Sequence, residues 1–263
     1  MVAKYVRNEE KMRIASAQMR VEGGEYQKNI EKVKRFIEES AKEKADIVVF
    51  PEVVDFGWLT KVSAQIAEKT FKKSVAQISR LATENSIYVC IGLTEGEGRE
   101  IYNSAILISP SGKLLLKHRK INLLDFEAKV YSKGESLLVT SKPAHNTGIL
   151  ICADNFPDTL YLGRTAGLIG VKLLLSPSSW VVEDNLKYDP DELMWVSSYF
   201  SLAREFGMVV VAVSNVGTVS NSPWKGHKCI GNSVIIGDGG RILHRSQFGQ
   251  DAERLDIVDV QVS

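Results

Sequence analysis

Cysteine is scarce in this 263-residue chain: Cys90, Cys152 and Cys229 are the whole complement, with no C-x-x-C pair among them. An odd, widely spaced set argues against a disulfide framework and favours a reducing compartment, so the expected location is the cytoplasm. Long apolar runs are missing too. No stretch approaches the roughly 20 apolar residues that span a bilayer, and Met1 to Lys11 is charged where a secretory leader would be apolar. Neither sign of charge is in excess, since 33 basic residues face 32 acidic ones. That balance gives no electrostatic footprint for nucleic acid or an anionic membrane surface. The four histidines, His118, His145, His227 and His244, stand apart, and H-E-x-x-H does not occur. A metal hydrolase is therefore poorly supported, and no metal or organic cofactor is expected. G-x-S-x-G and a phosphate-binding glycine loop are also absent. Ser222-Pro223-Trp224-Lys225 fits S-x-x-K, but a proline-containing loop is a poor setting for the helical turn that chemistry needs.

What is present is ordinary globular material, 44% hydrophobic and 25% charged, enough to bury a sizeable core. Short apolar runs alternate with amphipathic stretches. Strands are predicted at Arg13–Gln18, Ile47–Phe50, Tyr88–Gly92, Ser104–Ile108, Lys113–Lys117, Thr147–Cys152, Lys172–Ser176, Met208–Val213, Val234–Gly237 and Arg241–His244. Helices are predicted at Glu25–Glu43, Phe71–Glu84, Asp158–Leu168 and Pro190–Glu205. In the first, Ile30, Val33, Phe36, Ile37 and Ala41 share one face. Strand–helix alternation mixed with hairpins predicts an α/β fold of mixed sheets covered by helices, in one domain over residues 1–263. The fully apolar strands suit burial on both faces.

Three reactive side chains stand at the ends of apolar strands, where α/β sheets place their ligands. Glu52 follows Ile47-Val48-Val49-Phe50-Pro51, Cys152 closes Gly148-Ile149-Leu150-Ile151, and Lys120 sits just past the strand ending near Lys117. Each has a plain alternative: a core-filling thiol, a solvated loop carboxylate and a basic surface triplet, His118-Arg119-Lys120. Together they supply what a thiol nucleophile needs, a base and a cation to stabilise an oxyanion.

The flanking residues resemble the nitrilase superfamily of carbon–nitrogen hydrolases. Pro51-Glu52-Val53-Val54-Asp55-Phe56-Gly57-Trp58 is similar to its P-E-x-x-x-x-G-[YW] segment. His118-Arg119-Lys120-Ile121-Asn122-Leu123 is similar to [YH]-R-K-x-x-L, and Gly148-Ile149-Leu150-Ile151-Cys152-Ala153-Asp154 to G-x-x-I-C-x-D. The three occur in the family's order, and the resemblance runs from Arg13 to about Val260. It implies a four-layer α-β-β-α sandwich with a Glu52–Lys120–Cys152 triad. It also implies a second glutamate near the lysine, for which Glu127 is the best match, and a homodimer or higher homo-oligomer. The implied activity is hydrolysis of a small or medium amide to an acid plus ammonia or an amine, with a nitrile as the alternative substrate, through a thioester on Cys152. A catalytically weak binding or assembly protein on the same scaffold is the rival. Pocket candidates are Ala153 and Asn155 after the nucleophile, Phe56 and Trp58 after Glu52, and Ser178, Trp180 and Asn215 after neighbouring strands. Two departures from the family pattern leave substrate identity open. Asn122 stands where many members carry His. The stretch Cys152-Ala153-Asp154-Asn155-Phe156-Pro157-Asp158 is one residue short and lacks the Arg or Trp often found there.

Overall fold

The computed structural model describes residues 10–144, 146–183, 189, 194–221 and 223–263. His145, Lys187, Ser222 and the predicted helix start at Pro190 lie outside the described residues. The chain opens with β1 (Glu10–Gln18), α1 (Tyr26–Lys42), β2 (Ile47–Val49), α2 (Ala64–Asn85), β3 (Tyr88–Glu97), β4 (Glu100–Ile108) and β5 (Leu114–Arg119). It continues with β6 (Val139–Thr140), β7 (Thr147–Ile149), α3 (Tyr161–Leu168), β8 (Leu173–Ser178), β9 (Val181–Val182), α4 (Met194–Phe206) and β10 (Val209–Ser214). The last strands are β11 (Val216–Thr218), β12 (Lys228–Ile230), β13 (Val234–Ile236), β14 (Ile242–Arg245) and β15 (Arg254–Val262).

Among the described residues these strands form two six-stranded sheets, ordered β15-β1-β2-β3-β4-β5 and β14-β13-β10-β8-β7-β6, and a small sheet β11-β12-β9. Each large sheet has a parallel centre and antiparallel edges. The period-2 alternation of strands decides the layers. In β2, Ile47 and Val49 face the second sheet, in one core with Ile14, Cys90, Leu107, Leu173, Leu175 and Val211. Val48 and the following Phe50 face the other way, into a core with Val33, Phe36 and Ile37 of α1 and Ile78 and Leu81 of α2. On the far side, Tyr199, Leu202 and Ala203 of α4 join the core of the second sheet. The order is helices, sheet, sheet, helices: the α-β-β-α sandwich.

Boundaries differ from the sequence expectation at two informative places. Helix α2 starts at Ala64, not Phe71, because Ser63 accepts the Ile66 N–H and caps it; its first turns bury only Ala64 and Ala67, too weakly apolar to register as a periodic face. Strand β7 ends at Ile149, so Cys152 does not close a strand; it opens a 3-10 turn, Cys152–Asn155.

Candidate active site

The parallel strands of both sheets, and β5 beside them, deliver their C-terminal ends to one end of the sandwich. Glu52 arrives just past β2, and its N–H donates to the Ser178 carbonyl at the end of β8 (3.3 Å), tying the two sheets together. The next residue, Val53, has φ of 47°, a costly conformation for a β-branched residue. Behind it β3 passes at Gly92, where a Cβ would collide with the backbone of Pro51, Glu52 and Val53. The Glu52 carboxylate is buried. Its Oε1 accepts from Asn103 Nδ2 (2.9 Å) and lies 3.4 Å from Lys120 Nζ; its Oε2 has no hydrogen-bond partner meeting the same geometry. Burial raises its pKa above the ordinary carboxylate value and Glu127 adds to that, against opposing pulls from Lys120, Asn103 and the Cys152 thiol.

Lys120 follows β5. Its N–H donates to the Asn103 carbonyl (2.8 Å), and its own carbonyl accepts from Gly134 (2.9 Å). The basic triplet is not a solvated face: His118 is 3% and Lys120 1% exposed. The ammonium sits 2.7 Å from Glu127 Oε1. Burial alone would lower the Lys120 pKa, but Glu127, Glu52 and Cys152 outweigh it and hold it well above the value of a free lysine. Glu127 begins the 3-10 turn Glu127–Lys129 and is fully buried. Its Oε1 also accepts from Trp58 Nε1 (2.7 Å), and its Oε2 from the Leu124 N–H (2.9 Å).

Cys152 has φ of 41°, a left-handed conformation that lifts the thiol off the strand direction. Burial and the charges of Glu52 and Glu127 raise its pKa well above the normal thiol value, while Lys120 and the Ser179 N–H pull the other way. Asp154 fixes this turn to the lysine segment. Its Oδ1 accepts from the Ile121 and Asn122 N–H groups (3.1 and 2.7 Å), while its Oδ2 accepts from the Ile151 N–H (3.0 Å) and meets His118 Nε2 at 2.8 Å. One carboxylate thus satisfies both strand ends.

Glu52, Lys120, Cys152 and Glu127 therefore converge. Of the pocket candidates, Trp58 touches the cluster, but as a donor to Glu127 rather than only as an apolar wall. Ala153 is buried in the turn beside the nucleophile candidate. Asn155 donates to Ser176 Oγ (3.2 Å) and leaves Oδ1 unpartnered. The carbonyl of Ser178 holds Glu52, and Trp180 stacks on Trp195 at 5.1 Å. Asn215 receives the Gly231 N–H on its carbonyl, with Oδ1 unpartnered. Phe56 lies apart, its ring 5.4 Å from Tyr26 of α1. Sequence reasoning missed Asn103 and the Asp154–His118 pair. The signal for Asn103 was an amide just before the apolar run Ala105-Ile106-Leu107-Ile108.

A cleft of about 700 Å³ opens at the opposite end of the strands, by Lys11, Asp46, Arg241 and Asp259, and shares no residue with the cluster. Among the described residues no group of three or more His, Cys, Asp and Glu side chains is placed to hold a metal. No described helix is long and apolar enough to cross a membrane.

A buried thiol, a lysine and a carboxylate pair thus lie together at one end of an α-β-β-α sandwich. The carbon-nitrogen hydrolase family profile matches residues 13–263, and the chain belongs to that family. It is 32% identical over 240 residues to the omega-amidase NIT2 of Xenopus tropicalis, covering 87% of this chain and 82% of that protein. It is 26% identical to a nitrilase of Pyrococcus abyssi, covering 95% and 90%. The fold is shared with a carbon-nitrogen hydrolase from Helicobacter pylori G27 (TM-score 0.83, 20% identity, 95% of this chain and 89% of that one). It is also shared with an amidase from Nesterenkonia sp. (TM-score 0.76, 24% identity, 94% and 89%). The chain is thus an amidase-like carbon–nitrogen hydrolase.

Proposed function

We propose that this chain hydrolyses a small or medium-sized amide to an acid plus ammonia or an amine, with Cys152 as nucleophile, Glu52 as general base and Lys120 as cationic stabiliser. The observation that carries the reading is the buried Lys120 ammonium between two carboxylates, with the Cys152 thiol near enough to feel the charges of all three. The thiol rests protonated, so attack on the amide carbon requires that Glu52 take its proton as the S–C bond forms. Oε2, the oxygen without another partner, is the one available for it. Negative charge then develops on the substrate oxygen. Lys120 and the Ala153 N–H, at the start of a 3-10 turn where N–H groups lack internal partners, are the donors to it. Donors placed in advance are worth roughly 3–4 kcal/mol each. Protonated Glu52 next serves the leaving amine, which departs as the C–N bond breaks and leaves a thioester. A water deprotonated by Glu52 then hydrolyses that thioester.

Glu127 holds Lys120 in place and in the charged state. Both sheets contribute to the site, in keeping with one catalytic domain. The similarity to the Pyrococcus abyssi nitrilase supports a second reading, in which the same thiol attacks a nitrile carbon and the charge develops on nitrogen. An ammonia-release screen over aliphatic amides, N-carbamoyl compounds and nitriles separates the two. Cys152→Ala should abolish turnover while leaving the circular dichroism spectrum and melting curve near those of the parent. Near-parent kcat in that variant refutes the mechanism for either substrate.

A further inference from the structure

We propose that Asn103 is a positioning residue for this reaction, holding Glu52 through its side chain and Lys120 through its main chain so that a single oxygen of Glu52 is presented as the base. The inference rests on the proposed reading of the site and goes one step beyond it. Asn103 lies in β4, fully buried and directly opposite Thr94 of β3. Its Nδ2 donates to Glu52 Oε1 (2.9 Å), and its carbonyl accepts the Lys120 N–H (2.8 Å). No other described residue bonds both the base and the lysine in this way. With Oε1 shared between Asn103 and Lys120, Oε2 is left without a partner. A free carboxylate rotates between equivalent oxygens; this one is locked by one amide donor.

The donor also favours the ionised form of Glu52. The other titratable groups facing Glu52 are Lys120, Glu127, Cys152, Cys229, Tyr131 and Tyr199. Burial pushes Cys229 up to about 11 and raises both phenols and the Cys152 thiol, and Lys120 stays cationic. None of these changes when Asn103 is replaced, so a shift of the acidic limb reports on the lost hydrogen bond. Removing the donor destabilises the carboxylate, which then loses its proton only at higher pH.

The test is the pH profile of kcat/KM, with kcat and KM measured separately, for Asn103→Leu and Asn103→Asp. Both keep the four heavy atoms and the Cγ branch of the asparagine side chain. For Asn103→Leu the expected result is a kcat reduced about 10- to 100-fold, KM changed much less, and the acidic limb moved up by about one pH unit. Asn103→Asp should retain more activity at low pH and lose it as pH rises, because the new carboxyl donates to Glu52 only while protonated. An unmoved acidic limb in a folded Asn103→Leu, or a parent-like profile in Asn103→Asp, overturns the proposal. If Asn103→Leu fails to fold, Asn103→Asp decides alone. Cys152→Ala, run alongside, separates the two levels: turnover there sinks the reading of the site, whatever Asn103 does.

Discussion

Replacing Lys120 by Met tests the electrostatics of the site through stability as well as rate. The ammonium lies 2.7 Å from Glu127 Oε1 and 3.4 Å from Glu52 Oε1, with all three side chains no more than 1% exposed. At an effective dielectric of about 20 the gross attractions are about 6 and 5 kcal/mol, most of which offsets the cost of burying the charges. Methionine fills much the same volume but leaves two carboxylates without a cation. Breaking a buried ion cluster in this way costs about 3–5 kcal/mol, which for a chain of 263 residues lowers Tm by about 5–9 °C. The pH dependence carries the sharper prediction. Without Lys120, burial and the neighbouring Glu127 raise the folded-state pKa of Glu52 further above its unfolded value. Such groups contribute stability below the unfolded pKa and lose it as pH rises through the folded one. The gap between parent and variant should therefore be small near pH 5 and widen towards pH 8, by about 1.4 kcal/mol for each unit of pKa shift. Urea unfolding at the two pH values, followed by circular dichroism, measures it. An equal gap at both, or no gap, refutes the assignment of Lys120 as the neutralising cation. Turnover in the variant should fall by at least about 10²-fold.

Two further outcomes follow from the same geometry. Trp58→Phe removes the indole donor to Glu127 Oε1; since a hydrogen bond to a charged group is worth about 1.5–3 kcal/mol, kcat should drop at least about tenfold, and a parent-like kcat would show that Glu127 needs no such support. A neutral amide should be preferred to its α-carboxylate counterpart, because Ala153–Phe156 supplies no cation and the adjoining cleft of about 360 Å³ carries Asp125 and Asp158; a tenfold higher kcat/KM for the acid in a paired assay contradicts this.

The convergence of Glu52, Lys120 and Cys152 was legible in the sequence because each follows an apolar strand or segment that fixes its height in the sandwich. Glu52 after Ile47–Phe50 and Cys152 after Gly148–Ile151 are set by runs that can only be buried. Glu127 was legible only through the family's spacing, since nothing local marks a buried carboxylate seven residues past Lys120. What could not be read was which partners these residues would find. Phe56 and Trp58 are two apart and look alike as pocket walls, but the chain between Pro51 and Leu59 is a run of turns. Without strand alternation, one ring goes to Tyr26 and the other to Glu127. Asn103 escaped for a different reason. An amide in a strand is read as a poor fit unless its cross-sheet partner is known, and that partner, Glu52, is 51 residues away.

Two carboxylates share one lysine here, and the proposed reaction gives a reason. The proposed reaction starts from a neutral thiol, two carboxylates and one ammonium, so its starting cluster carries one net negative charge. When Cys152 attacks, its proton goes to Glu52 and the negative charge reappears on the substrate oxygen. The sum is unchanged; the charge has only moved from one side of the ammonium to the other. A site that shifts charge without importing any needs little reorganisation of its buried dipoles. The raised thiol pKa fits this scheme, because a preformed thiolate would add a third anion around one cation. In the proposed reaction Glu127 gives and takes no proton. Held by Trp58, Leu124 and Lys120, it keeps the lysine charged during the step in which Glu52 is neutral.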